Sequence, residues 1–395
     1  MLKLPIYLDN NATTAVDPRV LETMLPYFTT QYGNAASRSH PFGWVAEEAV
    51  DYAREQVAQL IGAVKQEIVF TSGATEAANL AIKGVYEMYA GSGNHIITCV
   101  TEHKAVVDTC RHLEKKGAQV TWLPVNEQGL ISIEALEAAI TPQTILIAIM
   151  YANNETGVIQ PVKEIGRIAK KHNVIYCCDA TQAVGKIPVN VLEDDIDLMM
   201  FSAHKIYGPK GVGALYVRRK SPRVRLAAQI DGGGHERGMR SGTLNVPGIA
   251  GFGKACELCG EEMRTEGPRL AVLRDKLELG LLQLEASRLN GGGAPRLPHT
   301  VNISLNYLEG QTLIMGFAKK IALSSGSACT SASMEPSYVL KAMGIDDMLA
   351  RNALRMGVGR FTTPEEIDFT IDTITRAVIA MREISPAWEA YKQGQ

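Results

Sequence analysis

Between about residue 45 and residue 220 the chain alternates stretches of helical period with short apolar runs, and that alternation admits few folds. "WVAEEAVDYAREQVAQLIG" carries its apolar residues at helical spacing and stops at Gly62. "EIVF", "HIITCV", "TILIAIM", "VIYCCD", "LMMFSA" and "GALYV" each have the length and composition of a strand. Repetition of strand, helix and strand predicts a mostly parallel sheet covered by helices, with any ligand at the carboxyl ends of the strands. Beyond "SGTLNVPGIAGFGKA" the pattern changes. A charged helical stretch, "EEMRTEGPRLAVLRDKLELGLLQLEA", leads through "NGGGAPRLP" to "HTVNISL", and a smaller mixed domain is expected from near residue 260. No internal repeat interrupts this plan.

A chain of 395 residues is longer than one hydrophobic core usually grows, which fits a large domain with a smaller companion. With 40 basic and 42 acidic side chains the net charge is -2, so no global excess directs the chain to nucleic acid or a membrane surface. The 7 cysteines are scattered and lack the spacing of a disulfide-stapled secreted domain, so a reducing compartment is expected. The start "MLKLPIYLDNNATT" has no apolar signal core, and no run approaches about 18 apolar residues, so the expectation is a cytoplasmic protein. "CELC", from Cys256 to Cys259, has a helical setting and no second pair, and reads as helix filler rather than a metal site.

Polar clusters follow the strands directly. "EIVFTSGATEAANLAIKG" passes from strand through Thr71, Ser72, Gly73, Ala74 and Thr75 into a helix whose free N–H groups suit a phosphate; an ordinary N-cap by Ser72 or Thr75 explains the same residues. There is no GxxxxGK[ST] pattern, so a nucleotide P-loop is not supported. Asp179 ends "VIYCCD", where a carboxylate is costly unless a cation pairs with it, and Lys205 follows the next strand, behind Ser202 and His204. A lysine and an aspartate at successive strand ends, facing such a helix start, are the parts that pyridoxal phosphate requires. The amine forms a Schiff base, the carboxylate keeps the pyridine nitrogen protonated, and hydroxyl and N–H groups hold the phosphate. His103, after "HIITCV", is placed to stack on the ring and relay protons. In "SSGSACTSAS", Ser324 to Ser333, Cys329 lies among small and hydroxyl side chains; taken alone, the segment fits a structural cysteine or a reactive thiol on an exposed, flexible loop.

With "TSGATE", "TEHKAV", "NNETG", "DATQAVGK", "HKIYGPKG", "GGGHERGMRSGT" and "SSGSACTSASMEPSYVL", the chain resembles the cysteine desulfurases of the NifS/IscS type, in the class-V aminotransferase family, from "YLDNNATT" at Tyr7 to the final "SPAWEAYKQG". The resemblance implies an α/β, fold-type-I pyridoxal phosphate enzyme. A mostly parallel seven-stranded sheet would occupy a large domain of residues 16–259, and residues 1–15 and 260–395 a smaller α+β domain carrying Cys329. It implies a homodimer that converts L-cysteine to L-alanine, keeps the sulfur as a persulfide on Cys329 and passes it to acceptors such as an IscU- or NifU-like iron–sulfur scaffold, without binding nucleic acid or membrane. The destination stays open between a general scaffold, a nitrogenase-dedicated one and tRNA thiolation.

Carried over by position, Lys205 is the Schiff-base lysine, Asp179 the pyridine-nitrogen partner, Gln182 a contact to the ring hydroxyl and His103 the stacking residue. Ala74, Thr75, Ser202 and His204 surround the phosphate, with Thr243 reaching in from the other subunit. Arg355 takes the substrate carboxylate, Asn154 lies beside it, and Cys329 is the nucleophile and a candidate transient cluster ligand in a scaffold complex; no resident metal is implied. The chain departs from the family's usual pattern at Cys177, at Ala203 and in "RMGVGR". A selenocysteine lyase or another pyridoxal phosphate enzyme for small amino acids is the competing reading, and the long "SSGSACTSAS" segment favours sulfur delivery. "RRKSPRVR", with Arg218, Arg219, Lys220, Arg223 and Arg225, is either a solvated surface or a patch that steers acidic partners.

Overall fold

In the computed structural model, which describes residues 2–325 and 335–394, the alternating part of the chain closes into one sheet. In chain order the strands are β1 (Ile6–Tyr7), β2 (Ile68–Thr71), β3 (His95–Cys99), β4 (Gln119–Leu123), β5 (Thr144–Ala148), β6 (Ile175–Asp179), β7 (Leu198–Ser202), β8 (Gly213–Val217), β9 (Ser287–Leu289), β10 (Thr300–Leu305), β11 (Ile321–Ala322), β12 (Ser324–Ser325) and β13 (Ala353–Gly357). The large sheet has the order β2-β8-β7-β6-β5-β3-β4. Its pairs are parallel except those that β8 makes with β2 and β7. Helices cover both faces, which is why these strands read as unbroken apolar runs instead of alternating. The helices Ala74–Met88 and Lys104–Glu114 pack Leu80, Val85, Val106 and Leu113 on one face. Pro41–Leu60 and Val162–Lys171 pack Val50, Val57, Ile165 and Ile168 on the other.

The outer rim of β2 is closed by side chains. Phe70 N donates to Glu236 Oε2 at 2.7 Å, and Ile68 O accepts from Arg54 Nη1 at 2.8 Å and from Arg237. Arg54 and Glu236 pair at 2.6 Å, both buried. An edge strand otherwise presents unpaired backbone groups to other chains, and here those groups are used inside the molecule.

The helix Val246–Leu281, 36 residues long, belongs to two cores. Ile249, Phe252, Cys256 and Cys259 pack beneath the large sheet, whereas Leu270, Leu273, Leu277 and Leu281 pack with Val301 and Ile303 of the antiparallel sheet β12-β13-β10-β9. The change of core falls between Cys259 and Leu270, inside an unbroken helix. The "CELC" thiols therefore occupy apolar core positions. Ile6 and Leu8 join the second core, where β1 runs parallel to β11, so the start of the chain packs with its end. Arg218 departs from the exposed basic run read in the sequence: it is buried and ion-paired with Asp197 at 3.0 Å, and the run at the surface reduces to Lys220, Arg223 and Arg225, with Arg219 half-buried. Among the described residues no helix is long and apolar enough to cross a membrane.

Candidate active site

The carboxyl ends of β2, β6 and β7 open on a cavity of 570 Å³. Its anion-binding end is built where β2 turns into the helix Ala74–Met88. Gly213 of β8 lies under that turn, and a Cβ there would come within 2.7 Å of Gly73 Cα, so only glycine lets the turn rest on the sheet. Ala74 N donates to Ser202 Oγ at 2.8 Å, and Ser72 N to Glu76 Oε2 at 2.8 Å, while Arg240 holds Glu76 at 2.7 Å. The first-turn N–H groups of a helix have no intrahelical acceptor and favour an anion, and Thr75 and Glu76 line the cavity at this point. His204 Nδ1 lies 3.1 Å from Thr13 Oγ1. Burial, with Lys205 and Lys210 nearby, pushes His204 down to about 4, which favours the neutral ring near pH 7.

Lys205 ends a single tight turn, Ala203–Lys205, that follows β7. Its amine donates to Ala12 O at 2.8 Å and to Asn11 O. Gln182 Nε2 donates to Asn11 O at 3.0 Å, so the same carbonyl gathers both side chains. Asp179, the last residue of β6, is buried and accepts from Thr181 N at 3.0 Å. His103 caps the helix Lys104–Glu114 through Nδ1, which accepts from Ala105 N at 3.1 Å and thereby fixes the ring at the cavity wall. Behind it Glu102 is fully buried and accepts from Met150 N at 2.7 Å; burial first, and the charge of Asp179, hold its carboxyl well above the usual carboxylate range.

Arg355 enters from β13 of the other core. Its Nη2 donates to Asp9 Oδ1 at 2.9 Å and its Nη1 to Asn154 O at 3.5 Å. Arg355 Nε and Asn154 Oδ1 are buried without a hydrogen-bond partner, as is Thr181 Oγ1, and all three residues line the cavity. Ser324 of β12 lies opposite Arg355 on β13. Cys329 falls outside the described residues. Thr243 is exposed and is not part of the cavity wall of its own chain.

These groups fit pyridoxal phosphate. The helix start, Ser202 and His204 suit the phosphate, Asp179 a protonated ring nitrogen, Lys205 the carbonyl carbon, and the orphaned Arg355 Nε and Asn154 Oδ1 leave polar capacity for an amino acid. The cavity lies in the usual size range of cofactor sites, roughly 300–1,000 Å³. Asp9, Asn11 and Thr13, which bind Arg355, Lys205 with Gln182, and His204, have no role predicted from the sequence. The only signal was the polar "DNNATT" itself, because a backbone carbonyl such as Asn11 O leaves no trace in residue type.

Residues 6–369 match the family model of the class-V aminotransferases, and the chain is a fold-type-I pyridoxal phosphate enzyme of that family. Proteins named cysteine desulfurase IscS from Anaeromyxobacter dehalogenans and Actinobacillus succinogenes are 57% and 58% identical to it over 394 and 395 residues, covering 100% of this chain and 97% of each relative. A solved NifS-like protein aligns with a TM-score of 0.87 at 39% identity, covering 95% of this chain and 100% of the other. The NifS-like protein of Rickettsia africae aligns with a TM-score of 0.85 at 31% identity, covering 94% and 99%. Within the class-V aminotransferases, the chain belongs to the cysteine desulfurases of the NifS/IscS type.

Proposed function

We propose that this chain converts L-cysteine to L-alanine and keeps the sulfur as a persulfide on Cys329 for transfer to acceptor proteins, iron–sulfur scaffolds first among them. The observation that carries the reading is the meeting, in one cavity, of Lys205, Asp179, a helix start and a buried arginine with an unused Nε. Pyridoxal phosphate, when bound, supplies an electron sink for negative charge at the substrate's alpha carbon. Arg355 binds the substrate carboxylate and Asn154 orients it. Lys205 Nζ moves the alpha proton, and His103, fixed at the cavity wall by its capping bond, serves as a proton relay. Asp179 keeps a proton on the ring nitrogen. In the net reaction L-cysteine and the Cys329 thiol become L-alanine and the Cys329 persulfide: the substrate C–S bond breaks, an S–S bond forms, and the thiol proton ends on alanine.

The same reading makes the enzyme a homodimer. Supporting it are the exposed aromatic residues Phe28, Tyr32, Phe42, Trp44 and Tyr52, of which Tyr32 and Phe42 pack with ring centroids 5.3 Å apart, and the exposed Thr243, available to a partner's phosphate site. The exposed Lys220, Arg223 and Arg225 suit acidic sulfur acceptors. The six described cysteines are free thiols, which suits a reducing cytoplasm. The test is Lys205→Ala. The purified variant should lose the visible absorbance of lysine-bound cofactor and all alanine formation; covalent, borohydride-reducible cofactor in that variant would remove Lys205 from its role.

A further inference from the structure

Cys329 lies between two described chain ends, and both are tied to the substrate site. On the leading side Ser324 and Ser325 pair with Arg355 and Leu354 of β13. On the trailing side Ser337 Oγ donates to Glu155 Oε2 at 2.5 Å and also caps the helix Tyr338–Ala342, accepting from Leu340 N at 3.2 Å. Tyr338 OH donates to Glu102 O at 2.6 Å, the carbonyl just before His103, and Lys104 Nζ stands 4.7 Å over the Tyr338 ring. Glu155 follows Asn154 in a rigid turn: Asn153 Oδ1 accepts from Glu155 N at 2.8 Å and Thr156 N at 3.0 Å, and Asn302 Nδ2 donates to Glu155 O at 3.0 Å.

We propose that Glu155 and Tyr338 are positioning residues for sulfur transfer, fastening the chain that carries Cys329 to the elements that hold Asn154 and His103. The inference rests on Cys329 as the nucleophile. Covalent geometry gives it force. Cys329 is four positions after Ser325, which bounds its Cα to about 14 Å from a point paired beside Arg355. Ser337 is eight positions after Cys329, roughly 27 Å at full extension, so the trailing end leaves the thiol far freer unless it too is anchored at the site. A buried carboxylate is also an expensive way to fill space, and Glu155 is only 3% exposed. Burial pushes its carboxyl up to about 7, with the Ser337 hydroxyl, Arg355 and His103 pulling the other way. The anchor thus sits among the groups that would hold the substrate, and two chain ends held at one site raise the effective concentration of the thiol there.

The experiment uses the full-length, cofactor-loaded enzyme and three readouts: bound-cofactor absorbance, the spectral titration with L-cysteine, and the single-turnover rate of persulfide on the Cys329 peptide by mass spectrometry. Ser337→Gly removes the hydroxyl at little cost to the helix start, and Tyr338→Phe removes only the phenol oxygen. Each should keep cofactor loading and cysteine binding within about twofold while slowing persulfide formation about tenfold. Glu155→Ala should behave likewise. Ser337→Thr and Glu155→Gln, which retain a donor and an acceptor, should restore most of the rate. A wild-type persulfide rate in Ser337→Gly and Tyr338→Phe overturns the proposal, as does a parallel loss of cysteine binding or a failure of both conservative variants to restore the rate. Wild-type alanine formation by Cys329→Ser would instead overturn the choice of nucleophile.

Discussion

A thiol transfers sulfur only where it ionises, and the described cysteines are placed so that they do not. Burial pushes the Cys177, Cys178 and Cys256 thiols well above their ordinary range, and Cys99 and Cys110 up to about 12. Cys177, two residues from Asp179, is buried, and its raised pKa disfavours the thiolate despite its position. Cys329→Ser should bind pyridoxal phosphate and L-cysteine yet form no protein persulfide, whereas Cys177→Ala should keep persulfide on the Cys329 peptide at the wild-type level; peptide mass spectrometry after incubation with labelled cysteine reads both. His204 carries a pH consequence. Its pKa is depressed on folding, so its contribution to stability is present above the ordinary histidine value and is lost as pH falls toward about 4. His204→Gln should accordingly lose less Tm than the wild type between pH 6.5 and about 4, measured without cofactor; parallel curves would show that another group titrates. The side chains that meet in the cavity were legible in the sequence because amine, carboxylate and imidazole are residue types. Their partners Asn11 O and Ala12 O were not, since every residue has a carbonyl.

Strands and helices were readable from the apolar pattern, but how each element ends its hydrogen bonding was not. Nothing in "GGGHERGMRSGT" says that Glu236 closes the rim of β2, because the contact joins residues far apart in the chain: Arg54, Phe70 and Glu236. Removing one partner of a buried pair leaves the other uncompensated, so Glu236→Ala should destabilise the protein by about 3 kcal/mol or more, read from urea denaturation. The loss should exceed that of Glu193→Ala, an exposed pair with Lys163 worth well under about 1 kcal/mol. The helix Val246–Leu281 teaches the same at greater length. Its periodicity predicts a helix, while the exchange of one core for the other between Cys259 and Leu270 is set by what packs against it.

At the scale of the molecule, one arginine joins the parts. Arg360 Nη1 meets Asp17 at 2.8 Å, its Nε meets Glu266 at 3.1 Å and its Nη2 meets Glu262 at 3.3 Å, while its guanidinium lies 4.3 Å over the Tyr207 ring. It thus binds the opening segment, the long helix and the residue two places after Lys205, from a position five places after Arg355. Arg360→Met should lower stability by about 3 kcal/mol and raise KM for L-cysteine more than it weakens cofactor binding, because the group that takes the carboxylate loses its fixed distance from the amine. An unchanged KM with lowered Tm would mean that the clamp is structural alone. By itself the sequence determined the fold class, the covering of the sheet by helices and the kinds of side chain available for pyridoxal phosphate chemistry, because periodicity and functional groups are local properties. Only the tertiary structure decided the strand order, the burial of Arg218 while Arg223 stays exposed, and the threading of Asp9, Asn11 and Thr13 through the site. Those outcomes depend on contacts between residues tens to hundreds of positions apart, and no local pattern records which of two similar side chains finds the partner that makes its burial affordable.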